Sequence, residues 1–235
     1  MQATAAIAVE PGPSGARLTT LRSEPPLLLR PTADAVLLVG GAAGPLGGDR
    51  LRYEIEVAAG ASLCIRSAAA SMVLPGTVPS ELTVSVTVGD GGFLDWSPEP
   101  SISVVGSRHV QRVDIDLCGG AALSWREGLV LGRTGEGPGA WSSSLRVRHR
   151  GVLLSHTQLD AGPDAPGWAG PASLGGAGAI ASQLIVGPAA RASTGTVGHM
   201  SDVATFALAD DAVLHQALGP TWAAADAGVR ALAGH

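Results

Sequence analysis

The residues of this chain best suited to chemistry are carboxylates set among glycine, tryptophan and proline. Asp49 ends the run Gly44-Pro45-Leu46-Gly47-Gly48-Asp49. A carboxylate in such a run either closes its own turn by accepting backbone N–H groups or stays free to meet water or a cation. Trp96-Ser97-Pro98-Glu99-Pro100 and Trp125-Arg126-Glu127 set Glu99 and Glu127 close to tryptophan, and Leu131-Gly132-Arg133 follows the second. These segments suit either a salt-linked turn or the wall of a polar channel. The six histidines (His109, His149, His156, His199, His215, His235) are scattered, without the i,i+4 pairing of a stable metal site. His109 and His149 fall in alternating strand-like runs, where ordinary sheet hydrogen bonds account for them. His156 follows Ser155, but neighbouring strand residues face opposite ways, so the two form no nucleophile–base pair.

Enzyme signatures are otherwise missing. All 15 basic residues are arginine; without a lysine there is no Walker-type phosphate loop and no lysine chemistry. Neither His-Glu-x-x-His nor Gly-x-Ser-x-Gly occurs. Gly176-Ala177-Gly178-Ala179-Ile180-Ala181 has the form of a dinucleotide-binding glycine pattern, but it follows a small-residue loop where a strand is required. Gly40-Gly41-Ala42-Ala43-Gly44 does follow a strand-like run, yet leads through Pro45 into another strand, with no helix to receive a pyrophosphate.

The elements that would position these residues are strands. Leu51, Tyr53, Ile55 and Val57 alternate with charged neighbours, as do Leu82, Val84, Val86 and Val88 with polar ones, and Val113, Ile115 and Leu117 with Arg112, Asp114 and Asp116. Each run therefore has one core face and one wet face, which predicts strands over residues 50–58, 81–88 and 109–117 and favours antiparallel pairing. Each restarts after a glycine turn, at Gly60, Gly91 and Gly120, and the second and third copies continue alike as Leu94-Asp95-Trp96 and Leu123-Ser124-Trp125. Stacked units of roughly 30 residues follow. Arg150-Gly151 predicts another tight hairpin. The expected fold is a mainly β, layered antiparallel body, sandwich or β-helix-like, over residues 17–160. A flexible segment is expected over residues 1–16 and a small C-terminal α/β region over 161–235. In that tail the pattern predicts a short strand at Leu184, Ile185 and Val186. It also predicts a helix capped by Asp210 and carrying Val213, Leu214, Ala217 and Leu218, then one capped by Thr221 and carrying Trp222, Ala225, Val229 and Leu232.

Composition narrows the class. Hydrophobic residues make up 46% and charged residues 15%, which argues against disorder. A net charge of −5 without a basic block argues against nucleic acid. Cys64 and Cys118 stand far apart, which favours a reducing compartment over a disulfide framework. The uncharged stretch over residues 166–190 is broken by prolines and glycines and is too small-residued for a bilayer helix. A soluble, cytoplasmic protein is expected.

Four blocks carry a family resemblance. Gly47-Gly48-Asp49-Arg50-Leu51, Ala68-Ala69-Ala70-Ser71-Met72-Val73, Leu94-Asp95-Trp96-Ser97-Pro98-Glu99 and Glu127-Gly128-Leu129-Val130-Leu131-Gly132-Arg133 resemble, in order, segments of the UreD (UreH) urease accessory proteins. The match runs from about Leu27 to Asp160. The resemblance implies a mainly β, helix-poor, non-enzymatic subunit of a hetero-oligomer. It would bridge apo-urease and partners of the UreF and UreG (GTPase) types, without nucleic acid or membrane. No tightly bound cofactor is implied; nickel would pass in transit through a polar tunnel, with Asp49 and Glu127, and more weakly Glu99, matching acidic positions of that path. Carboxylate and water ligands suit nickel, and transit needs weak, multiple contacts. Two other classes fit the residues alone: a structural or ligand-binding β-protein with no metal role, and a dinucleotide-using oxidoreductase built on the Gly176 loop.

Overall fold

The computed structural model describes residues 1–13, 15–193 and 202–233. Along them run strands β1 (Gln2–Gly12), β2 (Gly15–Arg22), β3 (Leu27–Pro31), β4 (Val36–Gly40), β5 (Arg50–Val57), β6 (Ser62–Ser67), β7 (Ser71–Val73), β8 (Ser80–Val88), β9 (Phe93–Ser97), β10 (Ser101–Ser103), β11 (Arg108–Leu117), β12 (Ala122–Leu131), β13 (Ala140–His149), β14 (Val152–Ala161) and β15 (Ala179–Val186). Helix α1 (Pro188–Ser193), strands β16 (Val203–Ala209) and β17 (Ala212–Gly219) and helix α2 (Trp222–Ala233) complete them.

Two sheets face each other. The first has the order β14-β13-β11-β8-β5-β1-β2 and the second β16-β17-β15-β12-β9-β6-β4-β3. From β5 to β13 the chain visits the two sheets in turn, so strands stack as a β-helix-like coil. The glycine turns join successive turns of that coil. Gly60 donates its N–H to Asp90 O at 2.9 Å, and both Gly60 and Gly91 take the left-handed conformation that favours glycine.

The mainly β, layered body is as the alternation predicts, and β5, β8 and β11 coincide with the three predicted runs. The strand direction differs. β1, β5, β8, β11 and β13 pair in parallel, as do β4, β6, β9 and β12; antiparallel pairs lie toward the sheet ends. Alternation records one buried and one exposed face. It signals antiparallel strands only when parallel strands are crossed by covering helices. Here the crossovers are strands of the opposite sheet, so the outer face of the first sheet stays wet.

Two further expectations are corrected. The segment expected to be a flexible lead-in forms β1, whose Ala3, Ala5, Ile7 and Val9 are buried against β5. Its Pro and Gly residues belong to the β1–β2 hairpin. The helix expected after Asp210 is instead β17, paired with β15 from Ala179↔Gly219 to Val186↔Ala212. Neighbouring sheet edge, which sequence alone does not reveal, overrides a weak helical pattern. The later helix does form as α2: Thr221 Oγ1 accepts the Ala224 N–H at 3.4 Å, and Ala225 and Val229 are buried on the outer face of the second sheet. No helix among the described residues is long and apolar enough to cross a membrane.

Candidate functional site

Register places residues of the two sheets in layers. One layer holds Trp96, Trp125, Leu184 and Leu214 of the second sheet opposite Tyr53, Val84, Val113 and Leu145 of the first. Trp96 stacks on Trp125 with centroids 4.7 Å apart, which is what the repeated Leu-x-Trp of the sequence builds. Two residues on along β12, and two residues back along β11, the layer turns polar. Glu127, Ser182 and Gln216 are direct neighbours across β12, β15 and β17, and Gln111 and Ser143 are neighbours across β11 and β13. The next layer is largely apolar again, with Leu129, Ile180 and Leu218 facing Trp141. A cavity of about 790 Å³ runs between the sheets, and all five polar residues line it.

Glu127 is the acidic group inside. Its Oε1 accepts a hydrogen bond from Gln111 Nε2 at 2.9 Å, which ties the two sheets together. Burial pushes its carboxyl up to about 7, against the opposing pull of Trp125 and Gln111. The Trp125 indole N–H is near enough to act on that carboxyl but does not reach hydrogen-bond geometry with it. Glu127 lies deep in the protein yet keeps some accessible surface, because the cavity reaches it. One layer on, His109 hydrogen-bonds Ser80 Oγ through Nδ1 at 2.8 Å and packs on Trp141 at 4.8 Å. Burial lowers its pKa to about 4, so it is neutral.

One end of the cavity opens through interruptions in the second sheet. β12 pairs with β9 as far as Trp125↔Trp96 and with β10 from Leu129↔Ser101, so Arg126, Glu127 and Gly128 have no ladder partner on that side. The missing stretch is Pro98-Glu99-Pro100, where two prolines have no N–H to donate. Beside it, residues 68–70 are all alanine, and the Glu99 N–H donates to Ser67 Oγ at 2.8 Å. Glu99 is exposed at this mouth, and Pro98, Ala68, Ala69 and Ala70 line it. Toward the opposite edges of the sheets the cavity reaches Gln158 and Asp202.

The sequence candidates therefore separate. Glu127 and Glu99 share the cavity, together with Trp96 and Pro98. Asp49 is buried and is not among the residues lining it: Oδ2 accepts the Leu46 N–H at 2.9 Å and Oδ1 pairs with the Met1 ammonium at 2.8 Å. That is the turn-closing role. Gly47 packs so closely on Gly76 that a Cβ would lie 2.5 Å from its Cα, and Gly48 is left-handed. Gly132 is buried at the start of a turn, and Arg133 is exposed in it, with its Nε bonding Glu136 at 2.9 Å. His156 is exposed, and His199 and His235 lie outside the described residues. Gly176 sits in a turn that enters β15, a strand, so the dinucleotide pattern has no helix N-terminus behind it. Among the described residues no three His, Cys, Asp or Glu side chains gather as a metal cage.

Gln111, Ser143, Ser182 and Gln216 escape the sequence reading. Gln111 had a signal: it is the polar member of an inward series that continues Val113, Ile115, Leu117. Gln216 was hidden because its segment reads as a helix.

Relatives supply the family. The sequence profile described as UreD urease accessory protein matches residues 1–234, well beyond the residues 27–160 that carry the visible motifs. The chain is 42% identical over 231 positions to the urease accessory protein UreD of Frankia alni, covering 80% of this chain and 78% of that one. It is 40% identical over 261 positions to the UreD of Frankia casuarinae (94% and 82%), and 45% over 185 positions to that of Streptomyces avermitilis (75% and 73%). A layered β body, the four motif blocks in order and a match along nearly the whole length lead to one assignment: the chain belongs to the UreD family of urease accessory proteins, with a role in urease maturation.

Proposed function

We propose that the protein serves urease maturation as a conduit for nickel, which crosses the body along the polar layer containing Glu127. The observation that carries this reading is one interior carboxylate on the wall of a cavity of about 790 Å³, flanked by neutral amides and hydroxyls. A lone carboxylate among Gln111, Ser143, Ser182 and Gln216 can attract a hydrated divalent cation without holding it, as a path requires. A storage or catalytic site would instead gather three or more strong ligands. Glu99, exposed at the mouth, gives an incoming cation a first contact. Family membership implies an accessory, non-catalytic role alongside other maturation factors. UreF- and UreG-type proteins and apo-urease are the partners this reading expects at the two ends of the path.

The test is Glu127→Gln, which keeps shape and the Gln111 hydrogen bond but removes the charge. At equal levels of soluble protein, urease activation in cells should need more nickel and should recover as nickel is raised. Activation that falls only in proportion to lost protein would overturn the conduit.

A further inference from the structure

Successive strand residues point to opposite faces, so Glu127 faces the cavity while Arg126 and Gly128 face outward beneath α2. Arg126 is buried there and forms an ion pair with Asp226 of α2; Arg230, one turn on, holds the other oxygen of Asp226 through Nε at 2.8 Å. Gly128 is a notch for Trp222. A Cβ on Gly128 would lie 2.3 Å from Trp222 Cη2 and 3.0 Å from Pro100 Cβ. These outward contacts fall on two of the three residues of β12 that lack a ladder partner on the β9–β10 side, and Glu127 lies between them. A strand segment bonded along one side only is free to shift across the gap unless something else holds it.

We infer that α2 is the positioning element of the path, and that Trp222, Asp226, Arg126 and Gly128 hold the half-paired stretch of β12 so that Glu127 projects into the polar layer. The inference rests on the reading of Glu127 as the cargo-contacting carboxylate. It assigns a task to residues of which only Gly128 borders the cavity, Trp222, Asp226 and Arg126 lying outside its lining. The ring of Trp222 replaces the support that Pro98-Glu99-Pro100 withholds, and the Arg126–Asp226 pair fixes the helix along the strand.

The experiment is a nickel titration of urease activation in cells, with soluble protein matched and melting temperature measured in parallel. Trp222→Ala removes the ring, Gly128→Ala drives a methyl into it, and Asp226→Asn is an isosteric change that removes only the charge opposite Arg126. Each should raise the nickel needed for half-maximal activation, Trp222→Ala on the order of tenfold, the value of one lost charge-assisted contact. Combined with Glu127→Gln, none should add a further shift, because all act through the same carboxylate. An unchanged nickel requirement beside a lowered melting temperature would overturn the inference, and so would a shift that adds fully to that of Glu127→Gln. If Glu127→Gln alone leaves the nickel requirement unchanged, the conduit reading itself is what fails.

Discussion

Glu127 should make the protein less stable as pH rises, and its replacement should remove that loss. In the folded protein its carboxyl titrates near 7, against an ordinary value of 4.5. Between those pH values the folded state holds a proton that the unfolded chain has released, so the free energy of unfolding falls as pH increases. At about 1.4 kcal/mol per pH unit the interval amounts to at most about 3.5 kcal/mol, and water in the cavity lowers it. Glu127→Gln cannot lose a proton and keeps an acceptor for Gln111. Its melting temperature should match wild type near pH 4.5 and exceed it near pH 8. For a chain of this size about 1 kcal/mol corresponds to roughly 2–4 °C, so a gain on the order of 5 °C at pH 8 is expected. Differential scanning fluorimetry of both proteins from pH 4.5 to 8 measures it, and subtracting the curves cancels every other titrating group. A variant less stable than wild type at pH 8, or a difference that does not change with pH, would refute the reasoning.

Three other outcomes follow from the same structure. His109 is held neutral, with its pKa lowered to about 4 by burial; its contribution is present above 6.5 and is lost as pH falls through that value toward 4, so His109→Gln should flatten the acid limb of the same melting curve. Asp49→Ala removes the acceptor of the Leu46 N–H and should cost on the order of 1 kcal/mol in a urea melt, with no recovery of activation on adding nickel. Val152, Leu153 and Phe206 are exposed on edge strands β14 and β16, so Leu153→Ser with Phe206→Ser should raise the monomeric fraction on size exclusion while moving stability by no more than about 0.5 kcal/mol.

The parts of this fold legible in sequence are those governed by local rules. β5, β8 and β11 show themselves because each hides one face and wets the other, and the turns at Gly60 and Gly91 need the backbone freedom of glycine. Strand direction was not legible, because alternation describes faces and says nothing of which way a neighbour runs. β17 was not legible either, since Val213, Leu214, Ala217 and Leu218 fit a helical stripe until β15 supplies an edge to pair with. In the site, Glu127 and Glu99 stood out by their tryptophan and proline neighbours. Their partners Ser182 and Gln216 come from strands far along the chain, and only register brings them beside Glu127. Asp49 looked alike in sequence but differs in surroundings: the Leu46 N–H three residues back already occupies it.

In a stack of parallel strands, residues at equivalent positions share a layer, so a polar path arises when a few strands each place one polar side chain at the same height. Here Gln111 and Ser143 in one sheet and Glu127, Ser182 and Gln216 in the other do so, between the Trp96–Trp125 layer and the Leu129–Ile180 layer. Side chains on a strand return to the same face every second residue, so a carboxylate moved from position 127 to 125 or 129 would still point inward. It would then lie in an apolar layer, without Gln111 to meet it, and would carry the cost of an unpartnered buried charge. The path therefore runs across the strands, not along them, and its direction is set by register. A slip of two residues between β12 and β15 would separate Glu127 from Ser182 and close it, while leaving every strand and its burial pattern in place.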